Sequence, residues 1–361
     1  MTIELRRVIA DDWATWRPVR LAALADAPEA FGSTLADWRD APEHRWRARL
    51  SLPGAVDLLA VDGGRVVGMA SGVPDADDPA RAELVSMWVA PEARGHGLAA
   101  QLVDAVARTV ATGGAHRLEL SVMPDNHRAR RTYERAGFTT TDIPGDRLAD
   151  GRHETVMRRD LTAERTLLAY ERGVDRYAER TDDHRAGLVD DLLALVPAGA
   201  HVLELGSGPG RDADALEAAG LRVDRTDGTT AFVDRLRAAG HDARVLDVRQ
   251  VDWGGPYDAV FANAVLLHVD RAVMGTVLAR ARHAVRPGGV LAATVKHGDG
   301  DGWSDRKLDD PRWFTYWTED ALAAAAGVAG WADVVVRDTT RSGAEERWIT
   351  VTARRPEEDE L

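Results

Sequence analysis

Residues 201–214 read HVLELGSGPGRDAD, and residues 88–102 read WVAPEARGHGLAAQL. In each, an apolar run with strand character enters a glycine turn and a helical pattern follows at once. A strand, a tight turn and an opening helix together aim unpaired backbone N–H groups at a ligand, or let backbone pack closely on one. Two such corners in one chain predict two binding sites on two α/β domains.

The length agrees, because 361 residues exceed the ~250–300 at which single cores usually split. Around the first corner, residues 3–9 alternate like a strand and a helix runs from the Asp11–Asp12 pair to about Ala25. Helical spacing returns over 42–51, and VDLLAVDGGRVVGMASGV reads as a hairpin turning at Asp62-Gly63-Gly64. Strand 82–89, a helix after Arg94, strand 116–122, helix 126–136 and strands near 137–142 and 152–159 complete a mixed α/β unit.

Within it, Arg94-x-x-Gly97-x-Ala99 just beyond a strand resembles the acyl-CoA loop of the GNAT acetyltransferase family. The likeness continues in NHRARRTYERAGF, where Asn126, Ala129, Tyr133, Gly137 and Phe138 keep the family's spacing. The resemblance covers residues 2–160 and implies that Met87 and Val89, the loop Arg94, Gly95, His96, Gly97, Leu98 and Ala99, and Asn126 hold acetyl-CoA. It also implies Tyr133 as the acid that protonates the departing thiolate and Glu83 as the acceptor of the amine proton. The plainer alternatives are a core tyrosine on an amphipathic helix and a surface carboxylate beside a cleft.

Around the second corner, Gly206-x-Gly208-x-Gly210 resembles the donor loop of class I SAM-dependent methyltransferases. A dinucleotide fold usually has its third glycine one place later, where this chain has Arg211, so NAD becomes a minor alternative. The resemblance implies that Glu204, Gly206, Ser207, Gly208 and Gly210 hold SAM. Asp227 follows at the next strand end for the ribose hydroxyls, Asp247 near the adenine, Asn263 at a fourth strand exit, and Tyr177 on a preceding helix. Glu204 has a second reading as a helix-terminus partner. His268, Lys296, His297 and Tyr316 of the run RWFTYW (312–317) are candidates for the methyl-acceptor side, with ordinary packing as their alternative.

The expected architecture is therefore α/β: an N-terminal GNAT mixed α/β fold, then a Rossmann-like doubly wound methyltransferase domain. The boundaries are 1–161 for the first, 162–199 for a helical linker and leading helices, 200–355 for the second, and 356–361 for an acidic tail.

A net charge of −13 argues against nucleic-acid or anionic-membrane surfaces, which need clustered positive charge. With lysine only at Lys296 and Lys307, arginine supplies nearly all positive charge, so single arginines are weak evidence for phosphate. The absence of cysteine removes disulfides and thiolate chemistry, and the scattered histidines give no metal spacing. No signal peptide or membrane span is legible, so a cytoplasmic protein is expected.

The functional expectation is a bifunctional transferase taking acetyl-CoA and SAM and acting on a small-molecule or peptide amine, with methylation at N or O. The alternatives are a protein-modifying enzyme, or one domain that binds its donor without turnover.

Overall fold

A computed structural model of the chain describes residues 3–148, 150–180, 187–250, 252–306 and 308–357. Its contacts separate into two compact units, Met1–Arg165 and Thr166–Leu361.

The first unit runs β1 (Ile3–Val8), α1 (Trp13–Asp26), α2 (Leu35–Arg39), α3 (Glu43–Leu50), β2 (Val56–Asp62), β3 (Arg65–Pro74), β4 (Arg81–Val89), α4 (Leu98–Thr112), β5 (Arg117–Val122), α5 (His127–Arg135), β6 (Thr139–Arg147) and β7 (His153–Asp160). The strands form one sheet in the order β1-β2-β3-β4-β5-β7-β6. β4 and β5 are parallel, and every other neighbouring pair is antiparallel. Helix α4 carries Leu98, Leu102, Val103, Val106 and Val110 on one buried stripe, the spacing of a helix laid on a sheet. It lies so close that a Cβ at Gly72 of β3 would meet Val106 and Val110 at 2.7 Å. A separate cluster around Trp16, Trp46, Leu59 and Met69 anchors α1 and α3.

The second unit opens with α6 (Thr162–Arg172), which crosses the boundary, then α7 (Val174–Arg180) and α8 (Gly187–Leu193). Alternation follows with β8 (His201–Leu205), α9 (Arg211–Ala218), β9 (Arg222–Asp227), α10 (Thr230–Ala238), β10 (Ala243–Val245), β11 (Tyr257–Ala262), α11 (Arg271–Ala284) and β12 (Val285–Lys296). A ribbon of β13 (Asp301–Ser304) and β14 (Arg312–Thr315) precedes α12 (Glu319–Val328), β15 (Ala332–Asp338) and β16 (Trp348–Arg354).

The sheet order is β10-β9-β8-β11-β12-β16-β15, parallel through β12, with β16 antiparallel to both its neighbours. Two separate apolar clusters involve alternate residues of the central strands: Leu203, Leu205 and Val260 belong to one, Val202, Ala259 and Phe261 to the other. This is a doubly wound sheet covered on both faces, which is why its strands read as continuous apolar runs. The strand order reverses between β8 and β11, where such sheets open a crevice at their C-terminal edge.

Arg286-Pro287-Gly288-Gly289 reads in sequence as a turn before a strand, yet it lies inside β12. The β11 register passes from Tyr257–Val285 directly to Ala259–Val290, so this stretch bulges out of the ladder. No helix among the described residues is long and apolar enough to cross a membrane.

Candidate active sites

In the first unit, β4 and β5 pair only from Arg81–Arg117 to Glu83–Glu119. Beyond that point β4 continues to Val89 and β5 to Val122 with no ladder between them. Ser86 explains the departure: its φ of 56° is left-handed, uncommon for a residue with a Cβ, and the β3–β4 register shifts beside it. Two strands that begin as neighbours and then part leave backbone hydrogen-bonding groups free along a notch, a ready slot for an extended amide-bearing ligand.

Arg94 sits at the end of this notch. Its Nε donates to the Val89 carbonyl at 3.0 Å and its Nη2 to Asp26, whose carboxylate also accepts from Trp88 Nε1 at 2.9 Å. The guanidinium therefore braces the loop, and the loop's backbone is what faces outward. Gly95 and Gly97 have φ of 87° and 76°, and a Cβ at either would meet nothing within 4 Å. Gly97 is also the N-cap of α4, whose first turn leaves leading N–H groups without intrahelical acceptors. His96 is exposed, Ala99 is half-buried, and Leu98 points its side chain into the core. The corner fits an anionic ligand held by main chain.

Asn126 caps α5, its Oδ1 accepting from the Ala129 N–H at 3.0 Å. Tyr133 on the same helix meets Phe138 edge-on at 5.8 Å. With Met87, Val89 and Ala129 it packs on the core cluster that contains Leu98 and Leu102. Burial pushes its hydroxyl up to about 12, so it stays protonated at neutral pH. Glu83 is the last β4 residue paired with β5. Burial raises its carboxyl above the usual range, Arg81 opposes this, and Asp146 and Glu154 reinforce it.

In the second unit, Glu204, Ser207 and Asp227 form a buried polar floor under the glycine turn. Ser207 Oγ donates to Glu204 Oε2, and burial raises Glu204 to about 8. Asp227 accepts from Gly208 N at 3.0 Å on one oxygen, and from Thr229 N and Oγ1 at 2.9 and 2.8 Å on the other. These contacts fix its carboxylate against the turn. Gly206, Gly208 and Gly210 have φ of 67°, 50° and 91°, and a Cβ at Gly206 would lie 2.3 Å from Val265.

Other sequence-predicted residues are drawn into partnerships within the protein. Asp247 is gripped by Arg249, with Nη2 at 2.6 Å. Asn263 donates to Asp212 and accepts from Thr294, both at 2.7 Å. Tyr177 stands edge-on between Tyr170 and Phe232, at 5.3 and 5.8 Å.

On the acceptor side, His268 lies 2.5 Å from the Trp313 carbonyl through Nδ1 and 2.7 Å from the Tyr170 hydroxyl through Nε2. A carbonyl only accepts, so Nδ1 carries the proton and Nε2 receives one from Tyr170. Burial, aided by the Arg312 and Lys296 charges, pushes His268 down to about 3. Lys296 donates to Glu346 at 2.8 Å and stands 3.8 Å over the Phe314 ring. Tyr316 is set apart, packed over Gly298 with its carbonyl held by Arg271. His297 meets Glu319 at 3.1 Å, and with Asp338 these offer three ligand atoms within 4.8 Å, although Asp338 also accepts from Arg347. That grouping joins three distant stretches and has no signature in sequence spacing.

Residues 20–138 match the model of the acetyltransferase (GNAT) family, and residues 203–291 match a methyltransferase-domain model. An uncharacterised N-acetyltransferase of Mycobacterium bovis is 33% identical over 145 residues, which make up 39% of this chain and 92% of that protein. Through its first unit the chain belongs to the GNAT acetyltransferase family. A mycothiol acetyltransferase of Pseudarthrobacter chlorophenolicus is 36% identical over 140 residues, 38% of this chain and 42% of that protein. The chain thus spans less than half the length of that relative. In the second unit, a trans-aconitate 2-methyltransferase of Paracidovorax citrulli is 33% identical over 121 residues, 31% of this chain and 46% of that protein.

Within the GNAT unit, sequence reading missed Ser86 and Asp26. A left-handed serine has no sequence signal, and Asp26 lies 68 residues from the arginine it holds. In the second unit it missed Arg312, hidden in a run noticed only for its aromatics.

Proposed function

We propose that the chain is a bifunctional transferase, moving an acyl group from acetyl-CoA to an amine of a small molecule or peptide and a methyl group from SAM to an N or O acceptor. The parting of β4 from β5 beside an outward-facing glycine loop carries the first half of this reading. The buried floor of Glu204, Ser207 and Asp227 under a second glycine turn carries the other. We assign 1–161 to the acetyltransferase, 162–199 to the linker and leading helices, 200–355 to a Rossmann-like methyltransferase, and 356–361 to an acidic tail whose residues past Glu357 lie outside the described ones.

When bound, acetyl-CoA supplies an acyl group activated as a thioester. The N–H groups of Gly95, His96, Gly97, Leu98 and Ala99 hold its anionic end, with Arg94 bracing the loop. The Met87 and Val89 backbone lines the arm, and Asn126 fixes the start of α5. Glu83, kept basic by its raised pKa, takes the proton that frees the amine lone pair. Tyr133, its proton retained at neutral pH, protonates the thiolate as it leaves.

SAM supplies a methyl group on a sulfonium already primed to leave, so the second unit mainly aligns and dries the site. Glu204, Gly206, Ser207, Gly208 and Gly210 receive the amino-acid end, Asp227 the ribose hydroxyls, Asp247 the adenine side, and Asn263 and Tyr177 the walls. His268, with both nitrogens engaged, positions Tyr170 rather than acting as a base. The setting is cytoplasmic, and the acceptors are small molecules or peptides rather than nucleic acid.

Purified protein with isotope-labelled acetyl-CoA and SAM, given a metabolite and peptide extract, should yield acetylated and methylated products by mass spectrometry. Donor loss by hydrolysis alone, with no labelled product, would contradict enzymatic transfer.

A further inference from the structure

Among the described residues three arginines are deeply buried: Arg159, Arg225 and Arg312, at 7%, 2% and 2% exposure. Arg159 pairs with Asp104 and Glu164, and Arg225 with Asp214 and Glu217. Arg312 of β14 has no carboxylate within ion-pairing distance among the described residues. Its Nη1 donates to the Tyr170 hydroxyl at 3.1 Å, and its buried Nε has no partner. The rings of Tyr170 and Phe314 flank the guanidinium, each 5.2 Å from Cζ. Rings of this kind hold a cation's plane in place and do not neutralise it. A buried charge normally meets a counter-charge, because desolvation without one is costly.

Lys296, which stands over the same Phe314 ring, is matched by Glu346 at 2.8 Å. Tyr170 links Arg312 to His268 in one direction. In the other, through Tyr177 and Phe232, it leads to α10, which begins just after Asp227. Arg312 thus stands at the far end of an aromatic row that starts at the donor corner.

We propose that the missing partner is the methyl acceptor, and that it carries a carboxylate received by Arg312. A planar guanidinium binds a carboxylate through two parallel N–H bonds, and the Nε left bare is one end of such an edge. The assignment rests on reading the second unit as a methyltransferase and narrows its acceptor to an organic acid.

The test uses the full chain and separates the two claims. S-adenosylhomocysteine binding is measured first; its absence would overturn the methyltransferase reading itself. With that ligand bound, succinate and tricarballylate are titrated against their amides. At least one acid should raise the melting temperature while the amides do not, and Arg312→Gln should weaken that acid at least tenfold with S-adenosylhomocysteine affinity unchanged. With an acid acceptor, the same variant should raise KM far more than it lowers kcat.

A second readout needs no acceptor. Arg312→Met in the ligand-free protein should melt at the wild-type temperature or above, because an uncompensated buried charge is removed, whereas Arg225→Met should melt lower. The proposal fails if no acid shifts the loaded protein, if acids bind Arg312→Gln as well as wild type, if methylated products lack an acid group, or if Arg312→Met destabilises as much as Arg225→Met.

Discussion

The two glycine corners look alike in sequence and differ in what surrounds them. At Gly95 and Gly97 a side chain would project into open space, so glycine serves the left-handed backbone and leaves room for a ligand. At Gly206 and Gly210 a Cβ would press on Val265, or on Leu236 and Arg225, at 2.3 to 2.9 Å, so glycine there also serves the protein's own packing. The same punctuation thus marks an open cradle in one unit and a closely packed hinge of strand and helix in the other.

Substitution should expose that difference most strongly at Gly206. Gly206→Ala adds left-handed strain to overlap with Val265 and should cost about 3 kcal/mol or more, read by denaturant unfolding. A loss of only about 1–2 kcal/mol, the backbone strain alone, would show the second corner to be as open as the first. Next in size is Tyr133→Phe, which should lower the acetyl-transfer rate on the order of 10²-fold while CoA affinity by calorimetry stays close to wild type. Equal losses in both would make Tyr133 a packing residue.

Gly95→Ala should cost only about 1–2 kcal/mol of stability, from backbone strain alone. Its larger effect should fall on CoA affinity, and an unaltered affinity would remove the loop from the site.

Glu204 makes the second corner sensitive to pH. Its folded value of about 8 lies above the ordinary 4.5, so its contribution to folding is complete below pH 4.5 and is lost as pH rises toward 8. Glu204→Gln should remove that decline from pH-dependent melts. If the SAM ammonium sits beside Glu204, binding at pH 7 should also release a proton, seen as a buffer-dependent heat of binding that the variant lacks.

Much of this was legible from residues alone, because strong periodicity and glycine turns are local signals. The hairpin at Asp62-Gly63-Gly64, the stripe of α4 and the alternation after His201 each state their element within a dozen residues. What stayed hidden depends on distant partners. Arg94 reads as a ligand contact until Asp26 and the Val89 carbonyl claim it, and His268 reads as a base until Trp313 and Tyr170 fill both its nitrogens. The parting of β4 from β5 turns on the backbone of Ser86, a residue type that ordinarily stays out of left-handed space. Arg312 became informative only when its lack of an acid among the described residues could be set against Arg159 and Arg225.

The claim beneath all of this is that each unit holds its own donor. Calorimetric titration of the full chain with CoA and S-adenosylhomocysteine, in both orders, tests it most directly. One equivalent of each should bind, with neither displacing the other. Binding of only one, or competition between them for a single site, would contradict the account.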